Sequence, residues 1–584
     1  MLDFRLAIRS LRATPVVTLA AVLSIVTTGV QPAALRQPGR SPLYSARQVG
    51  TLVQLNDSGH QTAVSIIPTL GITFDDIARP KPGEWPSYNG LLSANRHSPL
   101  DQINTQTVAK LEPKWTHEMG GTRALQMTPI VMNGVMYVAA VNEARALDAR
   151  TGRQIWQFVR PRTPGLVPTG DPAAGINRGV AVLGDRVFLQ TDHAHLLALD
   201  RLTGQLQWDV EMADYRLNYG STGAPLIVND LVIAGISAGD EGVRGFLDAY
   251  RASTGERVWR FWTVPARGEP GSETWIGKAL EHGCAATWLT GSYDPDAKLL
   301  YWPTGNPCPD YNGDERKGDN LYSSSIVALD PVTGALRWHF QFTPHDLHDW
   351  DANQPPLLVD AEFRGQPRKL LVVANRNGFF YVLDRLTGRM LMAEPFVKHL
   401  TWASGIGADG RPQLLAAYEN SIEGTLTCPA VAGAANWPST AYSPATGLFY
   451  VMASEGCAVY RKNSNWFEPG KSFYGGTTKA ATIDGGGKYL RALDLQSGKT
   501  VWEVPRVGGG VSASGVMSTA GGLVFYGDNT GGALIAINAR TAQRLWQSET
   551  HQTWRSSPMT YAIDGKQYVG VVAGSTVRVF GLPE

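Results

Sequence analysis

The chain has 584 residues, with 52 Lys and Arg against 51 Asp and Glu, so its formal net charge is +1. This balance offers no electrostatic case for nucleic acid as a partner, because nucleic-acid binding needs a strongly basic surface. The 63 glycines and 17 tryptophans favour an all-β fold with many tight turns.

Residues 1–30 form a separate N-terminal segment. Arg5, Arg9 and Arg12 precede an apolar run over residues 16–30, which is the pattern of a secretory signal peptide. The alternative is an uncleaved membrane anchor, although the run is shorter than the about 20 residues of a spanning helix. Both interpretations export the body of the protein to the periplasm, and the second attaches it to the inner membrane.

Residues 31–83 show no strong periodicity and are interrupted by prolines. This pattern predicts a linker or N-terminal extension. We therefore expect the main domain to span residues 84–584.

A short pattern recurs along this domain, in which a turn ending in Gly is followed four positions later by Trp. The copies are Gly152 with Trp156, Gly204 with Trp208, Gly255 with Trp259, Gly334 with Trp338 and Gly498 with Trp502, and degraded copies are Gly388 with Met392 and Ala542 with Trp546. The Gly suits the positive φ of a hairpin turn. Periods near 50 residues indicate propeller blades, with the Trp side chains docking blade on blade.

The interval between Gly388 and Gly498 is 110 residues, which is long enough for two blades. It predicts a hidden blade around residues 442–447. Seven visible copies and one hidden copy give an eight-bladed β-propeller.

The loop at residues 342–353 concentrates titratable side chains: His345, Asp346, His348, Asp349 and Asp351. In an extended segment Asp349 and Asp351 face the same way, because they are two positions apart. Two carboxylates on one side suit a hard cation, and one of them can serve as a general base. The alternative is a polar turn whose Asp side chains accept hydrogen bonds from backbone amides.

Several separated motifs resemble the PQQ-dependent (quinoprotein) alcohol and glucose dehydrogenases, which are eight-bladed propellers that use pyrroloquinoline quinone (PQQ) and a metal ion. The motifs are Trp85-Pro86-Ser87-Tyr88-Asn89, Arg96-His97-Ser98-Pro99-Leu100 and Thr343-Pro344-His345-Asp346. The resemblance covers about residue 84 to the C-terminus. The sequence contains no Cys-x-x-Cys-His motif, so the haem-bearing relatives are excluded as a match.

The resemblance implies a set of site residues. The implied PQQ-binding residues are Gln126, Arg178, Thr222, Ser237, Ala238, Gly239, Trp288, Arg376 and Asn436. The implied metal ligands are Asp240, Asn306, Asp349 and Asp351. Asp349 and Arg376 are the implied catalytic residues.

The chemistry of the family explains these residue types. A cation polarises the quinone carbonyl that accepts hydride, while Asp349 would take the hydroxyl proton. Trp288 would form an aromatic floor for the ring, and Arg376 would stabilise the developing oxyanion. Asp351 is an additional carboxylate that resembles the lanthanide-using branch, because a trivalent ion favours more negative ligands. The expected metal is therefore a lanthanide or calcium.

Three departures from the family pattern bear on activity. Gln126 stands where the family usually has a Glu that contacts PQQ, Pro172-Ala173 stands in place of an adjacent Cys pair, and Ala513 replaces a Trp. The leading hypothesis is a dehydrogenase that oxidises an alcohol or sugar and passes electrons to an external cytochrome or quinone. The alternatives are a non-catalytic propeller used as a binding or assembly scaffold, and a metal-dependent hydrolase.

The four cysteines form two groups. Cys428 and Cys457 match a disulfide of the family, and an exported chain permits that bond. Cys284 and Cys308 remain open between a second disulfide and two buried thiols.

Overall fold

The computed structural model describes residues 70–584 except 122–123, 166–173, 465, 507–513 and 529–531, together with the backbone of three short strands before residue 70. The chain divides into two compact units, Met1–Tyr44 and Ser45–Glu584. The predicted signal or anchor segment, Pro172-Ala173 and Ala513 all lie outside the described residues. None of the described helices has the length and apolar character needed to cross a membrane.

Eight four-stranded antiparallel units follow one another along the described part of the chain, so the predicted eight-bladed propeller is confirmed. The strands of blades 1 to 4 are Ile130–Met132, Val135–Ala140, Glu143–Asp148 and Gln154–Val159; Ala181–Leu183, Arg186–Gln190, His195–Asp200 and Leu206–Glu211; Leu226–Val228, Leu231–Gly235, Phe246–Arg251 and Arg257–Trp262; and Ser292–Asp294, Leu299–Pro303, Ser325–Leu329 and Leu336–Gln341.

Blades 5 to 8 continue the same order. Their strands are Leu357–Phe363, Gln366–Ala374, Phe379–Asp384 and Met390–Pro395; Ala441–Ser443, Leu448–Glu455, Gly487–Asp494 and Thr500–Arg506; Val516–Thr519, Leu523–Asp528, Ala533–Asn538 and Arg544–Glu549; and Met559–Ile563, Lys566–Ala573, Thr576–Gly581 and Glu112–Glu118. The last strand of blade 8 comes from the beginning of the domain and pairs antiparallel with Thr576–Gly581. This pairing closes the ring.

Smaller elements decorate the ring. Ser45–Gln48 pairs with the outer strand of blade 1, and His97–Ser98 pairs parallel with Val516–Thr519. The other described strands are Leu52–Leu55, Gln61–Val64, Ile276–Gly277, Arg316–Lys317, Ala403–Ile406, Pro412–Leu414, Thr425–Thr427, Cys457–Lys462 and Gly476–Ala481. The described helices are the α-helix Phe74–Ala78 and the 3₁₀ helices Val108–Lys110, Tyr215–Leu217, Ser272–Thr274, Ala279–His282 and Ala416–Tyr418.

The predicted position of the hidden blade is wrong. The turn at Gly447 joins the first two strands of blade 6, and Gly498 belongs to the last turn of the same blade. Extra hairpins before and within blade 6 fill the 110-residue interval. The eighth blade lacks the repeat because a strand from the other end of the domain replaces the usual hairpin.

The repeat tryptophans dock each blade on the next, as predicted. The Trp156 indole of blade 1 donates to the Arg201 carbonyl of blade 2 at 2.8 Å. A Cβ added to Gly204 would lie 2.7 Å from the same ring, and Gly204 has a φ of +73°. The turn therefore needs glycine both for its backbone conformation and for the close approach of the indole.

Further indole-to-carbonyl hydrogen bonds repeat this contact at other seams. Trp208 donates to the Ala252 carbonyl at 3.2 Å, and Trp259 donates to the Pro331 carbonyl at 2.9 Å. Each acceptor lies in or beside the glycine turn of the next blade. The repeat in the sequence is therefore a repeat of inter-blade contacts.

We expect Trp156→Ala to lower the free energy of unfolding by about 3–5 kcal/mol, the usual cost of removing a large buried aromatic side chain. The reason is that the fully buried indole fills the seam between two blades. The measurement is the denaturant midpoint. Trp466→Ala is the control, because that side chain is 58% exposed, and an equal loss in both variants would contradict the docking role.

Candidate active site

The antiparallel blades place the predicted site residues at one end of the ring. In an antiparallel sheet, the connection that enters the first strand and the connection between the second and third strands open at the same end. Entering connections carry Gln126, Arg178, Thr222, Trp288, Asp349, Asp351 and Asn436, and connections between second and third strands carry Ser237, Ala238, Gly239, Asp240, Asn306 and Arg376.

Most of these residues line one cavity of about 250 Å³. Its wall contains Gln126, Ser237, Ala238, Gly239, Asp240, Glu241, Trp288, Asn306, Asp349, Asp351, Arg376, Asn436, Trp437 and Arg555. All four predicted metal ligands are in this wall. We call it the central cavity.

Arg178 and Thr222 lie beside the cavity wall rather than in it. The Arg178 guanidinium lies over the ring of Trp288 at 4.6 Å and over the ring of Trp437 at 5.1 Å. It also donates to the Thr222 hydroxyl at 2.6 Å. These contacts support the two indoles through cation–π interactions and hold Trp288 in position.

The acidic loop combines the two interpretations that the sequence left open. The buried Asp346 carboxylate accepts hydrogen bonds from the amides of His348, at 2.9 Å, and Trp350, at 2.7 Å. Burial raises the pKa of Asp346 to about 6. Asp346 therefore shapes the turn, whereas Asp349 and Asp351 line the central cavity.

The imidazoles of this loop do not support the hydrolase alternative. His348 is buried and its ring stacks on that of Trp350 at 4.3 Å. The His345 ring nitrogen is bonded to the Gly318 carbonyl. Neither side chain is among the residues that line the described cavity.

Arg376 forms ion pairs with both cavity aspartates. One guanidinium nitrogen lies 2.9 Å from the Asp351 carboxylate and the other lies 3.4 Å from the Asp349 carboxylate. Burial would lower the pKa of Arg376, but the aspartates raise it above the ordinary value. Burial raises the pKa of Asp349 well above its usual range; Arg376 opposes this effect, and Asp240 and Asp351 add to it.

Asp351 also connects two other site segments. Its carboxylate accepts a hydrogen bond from the backbone N–H of Asn306 at 2.7 Å and one from the Trp288 indole at 3.3 Å. A Cβ on Gly305 would lie 2.5 Å from the same carboxylate, so glycine at this position permits the close approach. Asp351 therefore holds the segment of Asn306 beside that of Trp288.

Another buried acid, Asp310, lies near the predicted metal ligands. Asp310 is fully buried, and one of its carboxylate oxygens has no hydrogen-bond partner. Burial raises its pKa well above the usual range, and Asp240, Asp349 and Glu241 raise it further. Acids crowded in this way favour a cation, which would lower the cost of keeping them charged.

The residues present fit a metal ion and a polar cofactor. The Asn306 side chain is 1% exposed and neither of its polar atoms has a partner; the Gln126 carbonyl oxygen and the Ser237 hydroxyl are also buried without one. Buried polar atoms normally need partners, and a bound ion and cofactor would supply them. Among the described residues, no three Asp, Glu, His or Cys side chains already converge as a metal site.

Two disulfides connect or anchor segments that line the cavity. Cys284–Cys308 joins the segment of Trp288 to the segment of Asn306, which resolves the pairing that the sequence left open. Cys428–Cys457 is also formed, and it anchors the segment that leads to Asn436. In that segment the Val431 carbonyl accepts a hydrogen bond from Arg376 at 2.6 Å.

Sequence reasoning missed three residues of the cavity wall: Glu241, Trp437 and Arg555. Glu241 and Trp437 each follow a predicted site residue, so their positions beside Asp240 and Asn436 were a usable signal. No local pattern marks Arg555, which enters the cavity because blade 8 closes next to blade 1.

Comparisons with known proteins identify the family and match the fold. The family described as "PQQ: Glucose/ethanol/alcohol dehydrogenase, beta-propeller domain" matches residues 85–395 and 503–569. The chain is 38% identical over 571 residues to quinoprotein alcohol dehydrogenase PedH of Pseudomonas putida. The aligned region covers 92% of this chain and 92% of the relative.

Two further similarities concern metal-dependent methanol dehydrogenases. The chain is 34% identical over 515 residues to a lanthanide-dependent methanol dehydrogenase of Methylorubrum extorquens, covering 82% of this chain and 85% of the relative. A solved structure of a europium-containing methanol dehydrogenase matches with a TM-score of 0.80 at 31% identity, covering 87% of this chain and 100% of that one. The resemblance in the motifs is thus confirmed, and this chain is a member of the quinoprotein alcohol dehydrogenases, enzymes that use PQQ to oxidise the CH–OH group of alcohols.

Proposed function

We propose that the protein oxidises a small alcohol in the central cavity, with Asp349 as the general base and PQQ and one metal ion as cofactors. The observation that carries this proposal is the meeting of Asp349, Asp351 and Arg376 in one cavity with Trp288. The proposed acceptor of the electrons is an external cytochrome or quinone, which would reoxidise the reduced cofactor.

The residues of the chain have separable tasks in this reaction. PQQ with its metal supplies an electron-poor carbonyl that accepts hydride when both are bound. Asp349 lines the central cavity and removes the proton of the substrate hydroxyl as the general base. Arg376 places a positive charge beside Asp349, and it would stabilise the oxyanion that develops in the transition state.

The metal is proposed to be a lanthanide, held by Asp240, Asn306, Asp349 and Asp351, with calcium as the alternative. The support is the number of acids at the site, because Asp351 lines the cavity with Asp240 and Asp349, and the buried Asp310 lies near enough for those two acids to raise its pKa. A trivalent ion gains more from such charge than a divalent ion does. The similarity to lanthanide-dependent and europium-containing methanol dehydrogenases agrees with this choice.

We expect Asp349→Asn to lower turnover by roughly 10²–10⁴, the range for loss of a general base. The substitution keeps the backbone, because Asp349 has a φ of +58° and Asn also tolerates that region. The measurement is dye reduction by purified protein reconstituted with PQQ and either calcium or lanthanum, with primary alcohols as substrates.

The control for this variant is Asp484→Asn, which changes an exposed acid outside the cavity. Full activity in Asp349→Asn would remove Asp349 from the mechanism. If the unsubstituted protein shows no dye reduction with any metal and alcohol, the non-catalytic scaffold becomes the better account.

We expect Asp351→Asn to weaken lanthanide binding at least tenfold more than calcium binding, because it removes one charge from the ligand set. The side chain of the substituted residue keeps an oxygen that can accept the hydrogen bond from the backbone N–H of Asn306. The measurement is the metal dissociation constant by calorimetry, with terbium emission as a second signal. Equal weakening for both metals would show that Asp351 does not select the ion.

We also propose that the protein is exported to the periplasm. The support is the Arg-rich and apolar segment over residues 1–30 and the two disulfides, since disulfides persist in oxidising compartments. We expect protein in the periplasmic fraction to have no alkylatable thiol among its four cysteines. Recovery in the cytoplasm with four reactive thiols would contradict export, and recovery with the membrane would favour the anchor.

A further inference from the structure

Arg555 stands at the boundary between two cavities. Beside the central cavity lies a second cavity of about 350 Å³, lined by the segments 124–126, 174–177 and 552–555 and by Gly574. In the described structure the two linings have only Gln126 and Arg555 in common. A group bound at this boundary would therefore meet both side chains.

Arg555 has no charged partner among the described residues. Its guanidinium makes no ion pair and no hydrogen bond with the described residues, although the side chain is half-buried. The other arginines of the site are engaged, because Arg376 pairs with Asp349 and Asp351 and Arg178 donates to Thr222. A half-buried guanidinium without an anion can take one from a ligand, and a ligand carboxylate matches its planar donors.

Gln126 is neutral and therefore does not form an ion pair with the Arg555 guanidinium. Its side chain is 5% exposed, and its carbonyl oxygen has no hydrogen-bond partner. A Glu at this position, as is usual in the family, would put a negative charge into the same boundary and compete for the guanidinium. Gln keeps the size of the side chain and removes the competing charge.

We propose that Arg555, with Gln126 beside it, binds a carboxylate group at the boundary of the two cavities. The proposal rests on the proposed function, since it places the carboxylate on a molecule that occupies the central cavity. Two molecules could provide it. PQQ carries three carboxylates, and an alcohol substrate could carry one at the end opposite its hydroxyl.

The first measurement is the dissociation constant of PQQ for the full chain, purified from a host that makes no PQQ and titrated by quenching of tryptophan emission. We expect Arg555→Gln to raise this constant about ten- to a hundredfold, as for loss of a charge-assisted hydrogen bond. Arg555→Lys should give an intermediate value, because Lys keeps the charge but not the paired donors. Gln126→Glu should also weaken binding, because it neutralises Arg555.

The second measurement separates the two sources of the carboxylate. With PQQ saturating, the KM of an ω-hydroxycarboxylate is compared with the KM of the neutral alcohol of equal length. If Arg555 binds the substrate, Arg555→Gln raises the first KM about tenfold or more and leaves the second unchanged. If it binds PQQ, the PQQ constant changes and the ratio of the two KM values does not.

The control is Arg544→Gln, which removes an exposed guanidinium on an outer strand of blade 7. It should change neither the PQQ dissociation constant nor the ratio of the two KM values. An Arg555→Gln protein with both quantities unchanged would overturn the proposal while leaving the proposed function intact. Failure of the unsubstituted protein to bind PQQ would instead overturn the proposed function and, with it, this assignment.

Discussion

The contact between a tryptophan and the glycine turn of the next blade is the constraint on which the rest of the structure depends. An indole can lie flat on a turn only if the turn residue has no Cβ, and the same turn needs a positive φ, so one glycine meets both demands. Because the contact recurs at the turns of Gly152, Gly204, Gly255, Gly334 and Gly388, it orients successive sheets around one axis. The strand Glu112–Glu118 then completes blade 8 beside blade 1.

The ring converts residues that are far apart in sequence into neighbours. Gln126 and Arg555 are separated by more than 400 positions, yet they line the same cavity because their blades meet at the closure. The antiparallel order within each blade sends two of its connections to the same end. The loops at that end can therefore vary in chemistry without disturbing the Trp contacts of the outer strands.

Charge is the second constraint, and it acts within the site. Asp349 and Asp351 lie close together because Arg376 forms ion pairs with both carboxylates. Asp310 and Asn306 contribute buried oxygens that the described protein atoms leave without partners. Such an arrangement is costly in an empty cavity and becomes favourable with a cation, so the binding of cofactors and the stability of these loops are linked.

The sequence by itself determined the fold class, the blade count and the Trp docking, since these follow from a local turn that repeats at regular spacing. It also supplied the motifs that placed most of the cavity residues on the right loops. It misplaced the hidden blade, because a closing strand from the other end of the domain leaves no local signature. Only the tertiary structure decided that Asp346 shapes its loop while Asp349 and Asp351 line the cavity, that Cys284 pairs with Cys308, and that Arg555 and Gln126 line the same cavity. These depend on distances between separate loops, which the ring geometry sets and local sequence patterns do not encode.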